Sequence, residues 1–456
     1  RGTTSSEYTN FKKFFGEYDD LELYKYQAGT NWQQELFGGA IRSSQHNLSI
    51  SGGTEKTKLG FNTTYNDDEG LMLNSGQKRY YFNFKLNHEL YKNLKLDLSA
   101  RYTNNVIDGA GTSGSSSVRI SDGIQTRPIN GLVDYMVIDP VEIIDGEDDY
   151  DNFLRSLINP IELTKQDYRQ RKTRDFSLGA ALNYTPWKKL NISSEAAVTL
   201  RNGNAKRYWG PLTGESRNVG LNLPLGQLEQ TESDRYRFVN TANYKVIKND
   251  KHDLNALLGH EISFTTGRNS LNRAKYFDEN VTPEVMFANL ALGTPERMET
   301  YEVRGEDFVS FFGRLNYSFL DRYVIYGTLR ADGSSKFAPT KRWGYFPSAS
   351  FAWKIKEESF MRDVSFVNDL KLRVSYGEAG NNRIANDAWR FLFGPSQNRP
   401  YGAGDINQTY YNILNTSLPN PNLRWETTVS RNLGLDFSLF NNKLSAIIDV
   451  YKNTTK

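Results

Sequence analysis

Four sets of residues in this 456-residue chain have the types and spacing to do chemistry. The first, Gly109-Ala110-Gly111-Thr112-Ser113-Gly114, satisfies G-x-G-x-x-G, and Asp134 follows where a ribose-binding acid would fall. That fingerprint cradles a pyrophosphate only between a buried parallel strand and the start of a helix. Here the preceding stretch 93–103 alternates apolar and polar residues, and Ser115-Ser116-Ser117 follows, so the segment reads as a loop. The second set is acidic: Asp134, Asp139, Glu142, Asp145, Glu147, Asp148, Asp149 and Asp151, with no Lys or Arg among residues 134–151. Clustered carboxylates can hold Ca²⁺, but the twelve-residue loop spacing with its terminal Glu is missing, which favours a solvated acidic loop. The third comprises His46, His88, His252 and His260, in no H-E-x-x-H or other ligand spacing; nor is there a G-x-S-x-G elbow. No catalytic set, metal or cofactor is therefore expected, and the chain is not read as an enzyme. The fourth is aromatic: Trp209, Trp389, Tyr401, Tyr410 and Tyr411 fall in long polar connections. Flat rings there suit stacking on sugars or on apolar peptide side chains, and equally suit membrane girdles or loop packing. They are the candidate ligand contacts.

What must position these residues is a set of strands. Hydrophobic residues make up only 38% of the chain, and no apolar run approaches the ~20 residues a membrane helix needs. A membrane barrel is still compatible with this, because its lipid-facing and lumen-facing side chains alternate and average out. The 27 Tyr, 26 Phe and 36 Gly suit strands and their turns. Net charge of +3 is too balanced to mark a nucleic-acid surface, and zero cysteines exclude disulfides and thiolate metal sites.

Period-two alternation predicts fourteen strands: 46–52, 57–66, 78–88, 93–103, 174–184, 190–200, 233–247, 253–266, 304–319, 322–332, 343–356, 369–377, 426–440 and 443–453. In 93–103, Leu94, Leu96, Leu98, Ala100 and Tyr102 take one face, opposite Lys95, Asp97, Ser99, Arg101 and Thr103. Many of these strands have the ~10 residues that a tilted strand needs to cross hydrocarbon. Connections alternate between tight (Gly53–Lys56, Glu89–Lys92, Thr185–Lys189, Lys248–His252, Leu320-Asp321, Asn441-Asn442) and long (67–77, 104–173, 201–232, 267–303, 333–342, 378–425). One tight position is stretched, at 357–368. Short turns at one end and long loops at the other are the pattern of outer-membrane barrels. If 53–56 is periplasmic, residues 1–45 form an external region and 46–456 a partial barrel preceded by at least one further strand.

Three stretches then carry a resemblance. They are Thr30-Asn31-Trp32-Gln33-Gln34-Glu35-Leu36-Phe37, followed by Gln45–Gly53 and Asp68-Glu69-Gly70; Phe312–Tyr317, through Leu329-Arg330-Ala331-Asp332-Gly333-Ser334-Ser335-Lys336-Phe337 and Gly344-Tyr345-Phe346-Pro347-Ser348, to Leu372–Gly377 and Gly380-Asn381-Asn382; and Pro419–Glu426. In this order they resemble the SusC/RagA family of TonB-dependent transporters. The resemblance implies a barrel of about 22 strands with a plugged lumen in the bacterial outer membrane. It also implies a SusD-like lipoprotein partner, energy from TonB through an N-terminal part, and import of oligosaccharides or peptides. On that scheme the fourteen strands are the second to fifteenth, the plug is not in this chain, and about seven later strands are missing. A surface β-protein of structural or adhesive role is the alternative.

Overall fold

The computed structural model describes residues 28–109, 126, 159–403, 406–413 and 418–456, with backbone alone at 304, 395–403 and 406–412. The strands run in chain order: β1 (Ser43–Gly53), β2 (Thr57–Glu69), β3 (Gly76–Tyr91), β4 (Leu94–Asp108) and β5 (Asp167–Trp187). Then follow β6 (Leu190–Trp209), β7 (Leu225–Lys248), β8 (His252–Lys275), β9 (Thr294–Phe319) and β10 (Tyr323–Ser334). After β11 (Trp343–Lys354) and β12 (Val367–Asn381) comes a separate hairpin, β13 (Phe393–Ala403) with β14 (Ile406–Ile413). The last two are β15 (Glu426–Leu439) and β16 (Leu444–Thr455). Fourteen of these form one antiparallel sheet in sequence order, β12 pairing directly with β15.

All fourteen expected strands are present, but several run much further than the alternation predicted. β5 to β9 have 21, 20, 24, 24 and 26 residues, about twice what a bilayer crossing takes. β6, expected to stop at 200, continues through Arg201-Asn202-Gly203-Asn204-Ala205-Lys206-Arg207 to Trp209. Beyond the hydrocarbon both faces of a strand meet water, so the period-two signal fades while the hydrogen-bond ladder goes on. The same correction applies to 378–425, expected as one loop, which contains the β13–β14 hairpin.

Register sorts the wall into two faces. Leu59, Leu86, Leu98, Ala180, Ala196, Phe238, Ile262 and Val309 stand in one row across β2 to β9. One residue along lies the opposite face: Gly60, Lys85, Ser99, Gly179, Ala197, Arg237 and Ser263. The apolar face is uncovered, with Leu258 69%, Leu315 56% and Val450 67% exposed. A water-soluble protein does not leave so wide an apolar band open, whereas hydrocarbon covers it at no cost.

Fully buried apolar side chains gather instead among the long connections. Tyr208, Ala274, Phe277 and Met286 form one cluster, with Tyr168, Phe287 and Leu290 packed around it. Among the described residues four short α-helices frame this end: α1 (Trp32–Phe37), α2 (Pro160–Gln166), α3 (Gly214–Val219) and α4 (Pro283–Ala288). Each starts on a side-chain cap, from Asn31, Asn159, Thr213 and Thr282, which satisfies amides that such short helices leave open. Leu36 of α1 is buried, and its carbonyl accepts from the Leu73 amide in the β2–β3 loop, so α1 sits at the long-loop end.

At the short-turn end an aromatic girdle borders the apolar face. Tyr323 and Trp353 stack at 6.4 Å, and Phe366 and Phe440 at 6.1 Å. Below it, Glu358 accepts from the Tyr323 hydroxyl (2.6 Å), the Trp353 indole (3.0 Å) and Arg322 (3.1 Å). The Tyr323 and Trp353 hydrogen bonds hold the Glu358 carboxyl below the usual carboxylate range. Its contribution is thus present above the unfolded value of about 4.3 and is lost as pH falls through the lower folded value. Glu358→Ala is expected to lower the temperature at which the full-length barrel loses its compact mobility in gels. Glu357→Ala, at the exposed neighbour, is expected to change it little. Equal effects would show that the three donors do not depend on Glu358.

Candidate functional site

The face opposite the apolar one lines a concavity of about 920 Å³ along β3 to β7. Alternation of β3, β4 and β5 delivers Arg79, Arg101 and Arg171 to it. Arg201 on β6 grips Asp175 on β5 through Nε and Nη2, at 2.7 and 3.1 Å. Arg79, Arg101 and Arg171 have no carboxylate within ion-pair distance among the described residues; the Arg101 guanidinium lies 5.9 Å from the Tyr81 ring. Further along the same face the charges are matched. Arg237 reaches Glu195 (3.3 Å) and Glu261 (2.8 Å), while Arg330 reaches Glu261 (3.4 Å) and Asp332 (2.7 Å). One arc of the wall is therefore left electropositive beside a neutralised one.

Above the concavity, Trp209 is 3% exposed, and the guanidinium groups of Arg207 and Arg273 lie 4.5 and 4.8 Å from its ring centroid. Glu215 and Glu296 hold Arg273 at 2.6 Å each, and Asp167 holds Arg169 at 2.5 Å. With two guanidinium groups within 5 Å of its centroid, this buried ring as folded binds cations of its own chain.

A second aromatic cluster joins the loops after β10 and β12. Phe337, fully buried, stacks on Trp425 at 5.2 Å, and Phe346 meets Trp425 edge-on at 5.4 Å. The Trp425 indole donates to the Arg342 carbonyl at 2.8 Å. Glu306 ties the same loops by accepting from Ser334 (2.5 Å) and Asn382, with Lys336 3.6 Å away. Parts of the second and third strings that carried the family resemblance, around Ser334–Phe337, Phe346, Asn382 and Trp425, thus converge in space.

Of the other candidate contacts, Trp389 is half-buried with an unpartnered indole N–H and Arg390 5.4 Å from its ring. Tyr401, Tyr410 and Tyr411 lie on the β13–β14 hairpin, where only the backbone is described. Gly109 follows β4 with φ +76°, and a Cβ there would meet the Asn74 carbonyl at 2.6 Å, so a tight loop contact accounts for this glycine. Residues 110–114 and 134–151 lie outside the described residues. His88 and His252 bond Thr57 and Tyr317, each at 2.8 Å, while His46 and His260 pack on Tyr65 and Phe311. The arginine arc was missed as a candidate, although its signal was in the sequence: the polar partners of each alternating strand, read together.

An antiparallel wall with an uncovered apolar face, a charged inner face and long connections at one end defines a transmembrane β-barrel. The family model described as "TonB dependent receptor-like, beta-barrel" matches residues 139–456, and the chain belongs to that family. It is 28% identical to the TonB-dependent receptor SusC of Bacteroides thetaiotaomicron over 94% of the chain and 42% of that protein. It is likewise 28% identical to the TonB-dependent receptor P39 of Formosa agariphila, over 90% of the chain and 37% of that protein. The chain thus spans about two fifths of the curated relatives it matches. Its fold matches the solved structure of the RagAB peptide transporter with a TM-score of 0.75 at 23% identity, covering the whole chain and 48% of that one.

Proposed function

We propose that the full-length protein is a TonB-dependent transporter of the bacterial outer membrane that imports oligosaccharides or peptides with a SusD-like surface lipoprotein. The observation that carries this reading is the two-faced wall whose four longest connections leave from one end, opposite tight turns and one stretched connection at 355–366. That end faces the medium, the lumenal concavity lies on the substrate path, and TonB engages a part of the protein outside the described residues. Membership of a receptor and transport family supports this, and we propose no catalytic step. Trp389, Tyr401, Tyr410 and Tyr411 are proposed to meet the ligand; Trp209, buried beside Arg207 and Arg273, would do so only after those arginines moved away. No observation favours an adhesive role.

Topology and energy coupling are tested together in the full-length protein, to which these 456 residues contribute no cysteine of their own. Cysteines at Leu221 and Leu292, on long connections, are expected to react with an impermeant thiol reagent on intact cells. Cysteines at Lys188 and Asp250, on tight turns, are expected to react only after the outer membrane is opened. Nutrient-dependent growth is expected to disappear when tonB is deleted. Reversed labelling, or growth indifferent to TonB, would refute the reading.

A further inference from the structure

The unmatched arginines, and what stands between them, narrow the ligand. Arg79, Arg101 and Arg171 are all exposed into the lumenal concavity. Arg79 pairs in register with Asn105 on β4, four residues from Arg101, which puts the two backbone anchors roughly 14 Å apart. Arg171 pairs with Ile107, six residues from Arg101. One small anion cannot reach all three; an extended molecule with several negative charges can. Between the guanidinium groups the wall offers Thr103, Asn105, Thr173, Ser177 and Thr199. Of its two carboxylates, Asp175 is already engaged by Arg201, and Glu229 stands at the far edge. Apolar side chains are scarce: Ile107, Ala205 and the Tyr81 ring beneath Arg101.

This mixture discriminates between ligand classes. A peptide presents apolar side chains, which bind by entering apolar pockets, and the arc has none of that size. A sugar chain presents hydroxyls, which pair with hydroxyl and amide side chains, and an uronate or sulfate group fits the planar fork of an unpaired arginine. We propose that this arc is a binding track for acidic oligosaccharides carrying carboxylate or sulfate groups, a proposal that rests on the transport reading above and narrows its substrate.

The test is direct binding by calorimetry to the purified full-length protein in detergent, independent of uptake. The probes are hexagalacturonate, a heparin hexasaccharide, maltohexaose and hexaglutamate. At least one acidic sugar is expected to bind about tenfold or more tighter than maltohexaose at low salt, the advantage shrinking as salt rises. Arg79→Gln, Arg101→Gln and Arg171→Gln are each expected to weaken it about tenfold with the barrel still heat-modifiable. Arg101→Lys is expected to lose less, since the charge stays. Four results would overturn the proposal. Neither acidic sugar beats maltohexaose; hexaglutamate binds tightest, making the ligand an acidic peptide; the Gln variants bind unchanged; or the Gln variants cost barrel stability and leave affinity alone, meaning that the arc packs against another part of the protein. TonB-dependent uptake of a neutral nutrient alongside any of these would sink the acidic track but keep the transporter. Acidic-sugar binding without TonB-dependent uptake would do the reverse.

Discussion

Leu98→Arg and Leu258→Arg are expected to abolish most of the folded barrel, whereas Ser99→Arg and Ser350→Arg are expected to preserve it. Leu98 stands mid-strand in the apolar row between Leu86 and Ala180, and Leu258 is 69% exposed on the same face. A guanidinium at either place would sit in hydrocarbon, at a cost of about 2–4 kcal/mol near the midplane. Ser99 lies one residue away but looks into the lumen beside Lys85, and Ser350 faces the lumen between Tyr326 and Ser375. An arginine there meets water or other polar groups. The fraction of full-length protein showing heat-modifiable mobility after membrane extraction measures this. Comparable losses in both pairs would mean that the two faces have been assigned wrongly.

The second large effect is expected from a single glycine. A Cβ at Gly380 would fall 2.1 Å from the Phe346 ring, inside the cluster of Phe337, Phe346 and Trp425. Phe337 and Phe346 are buried on neighbouring elements and have nowhere to retreat. Gly380→Val should therefore cost at least the 1–3 kcal/mol typical of overpacking, and Phe346→Ala about 3–5 kcal/mol through the cavity it leaves. Gly60→Val is the control, because nothing stands within 4 Å of its Cβ position. The readout is protease cleavage within 382–425 of the intact protein, expected to be fast in both damaging variants and slow in the control. Combining Gly380→Val with Phe346→Ala removes the clash, so the double variant should fall short of the sum of the single effects. Strict additivity would show that the two residues do not meet.

The contrast between these experiments mirrors what could be read from residues alone. Leu94 to Thr103 betrayed their strand because its two sides meet two different media, and every strand segment inside the membrane did the same. Arg201 to Trp209 lost that signature as soon as both sides met water, though the ladder continues unbroken. Phe337, Phe346, Gly380 and Trp425 could be picked out as familiar strings, but their convergence depends on β12 pairing with β15 across the connection that holds the β13–β14 hairpin. No local spacing encodes that. Trp209 was singled out for its flat ring; the two arginines that cover it come from its own strand and from β8, and only the register brings the second one near. The arginine arc was spread over β3, β4 and β5 in the same way, visible one residue at a time and meaningful only once the strands lie side by side.

The length of β5 to β9 carries a mechanical consequence. A strand of 24 residues spans about 80 Å along its axis, and at the tilt usual in barrels roughly half of its rise clears the hydrocarbon. What stands above the membrane is thus a stiff collar, laced to its brim by the same backbone bonds that close the wall below. A collar of that kind cannot hinge without unzipping consecutive rungs of its ladder. Any opening and shutting at the mouth therefore has to be done by the connections perched on the rim, or by a separate molecule resting on it.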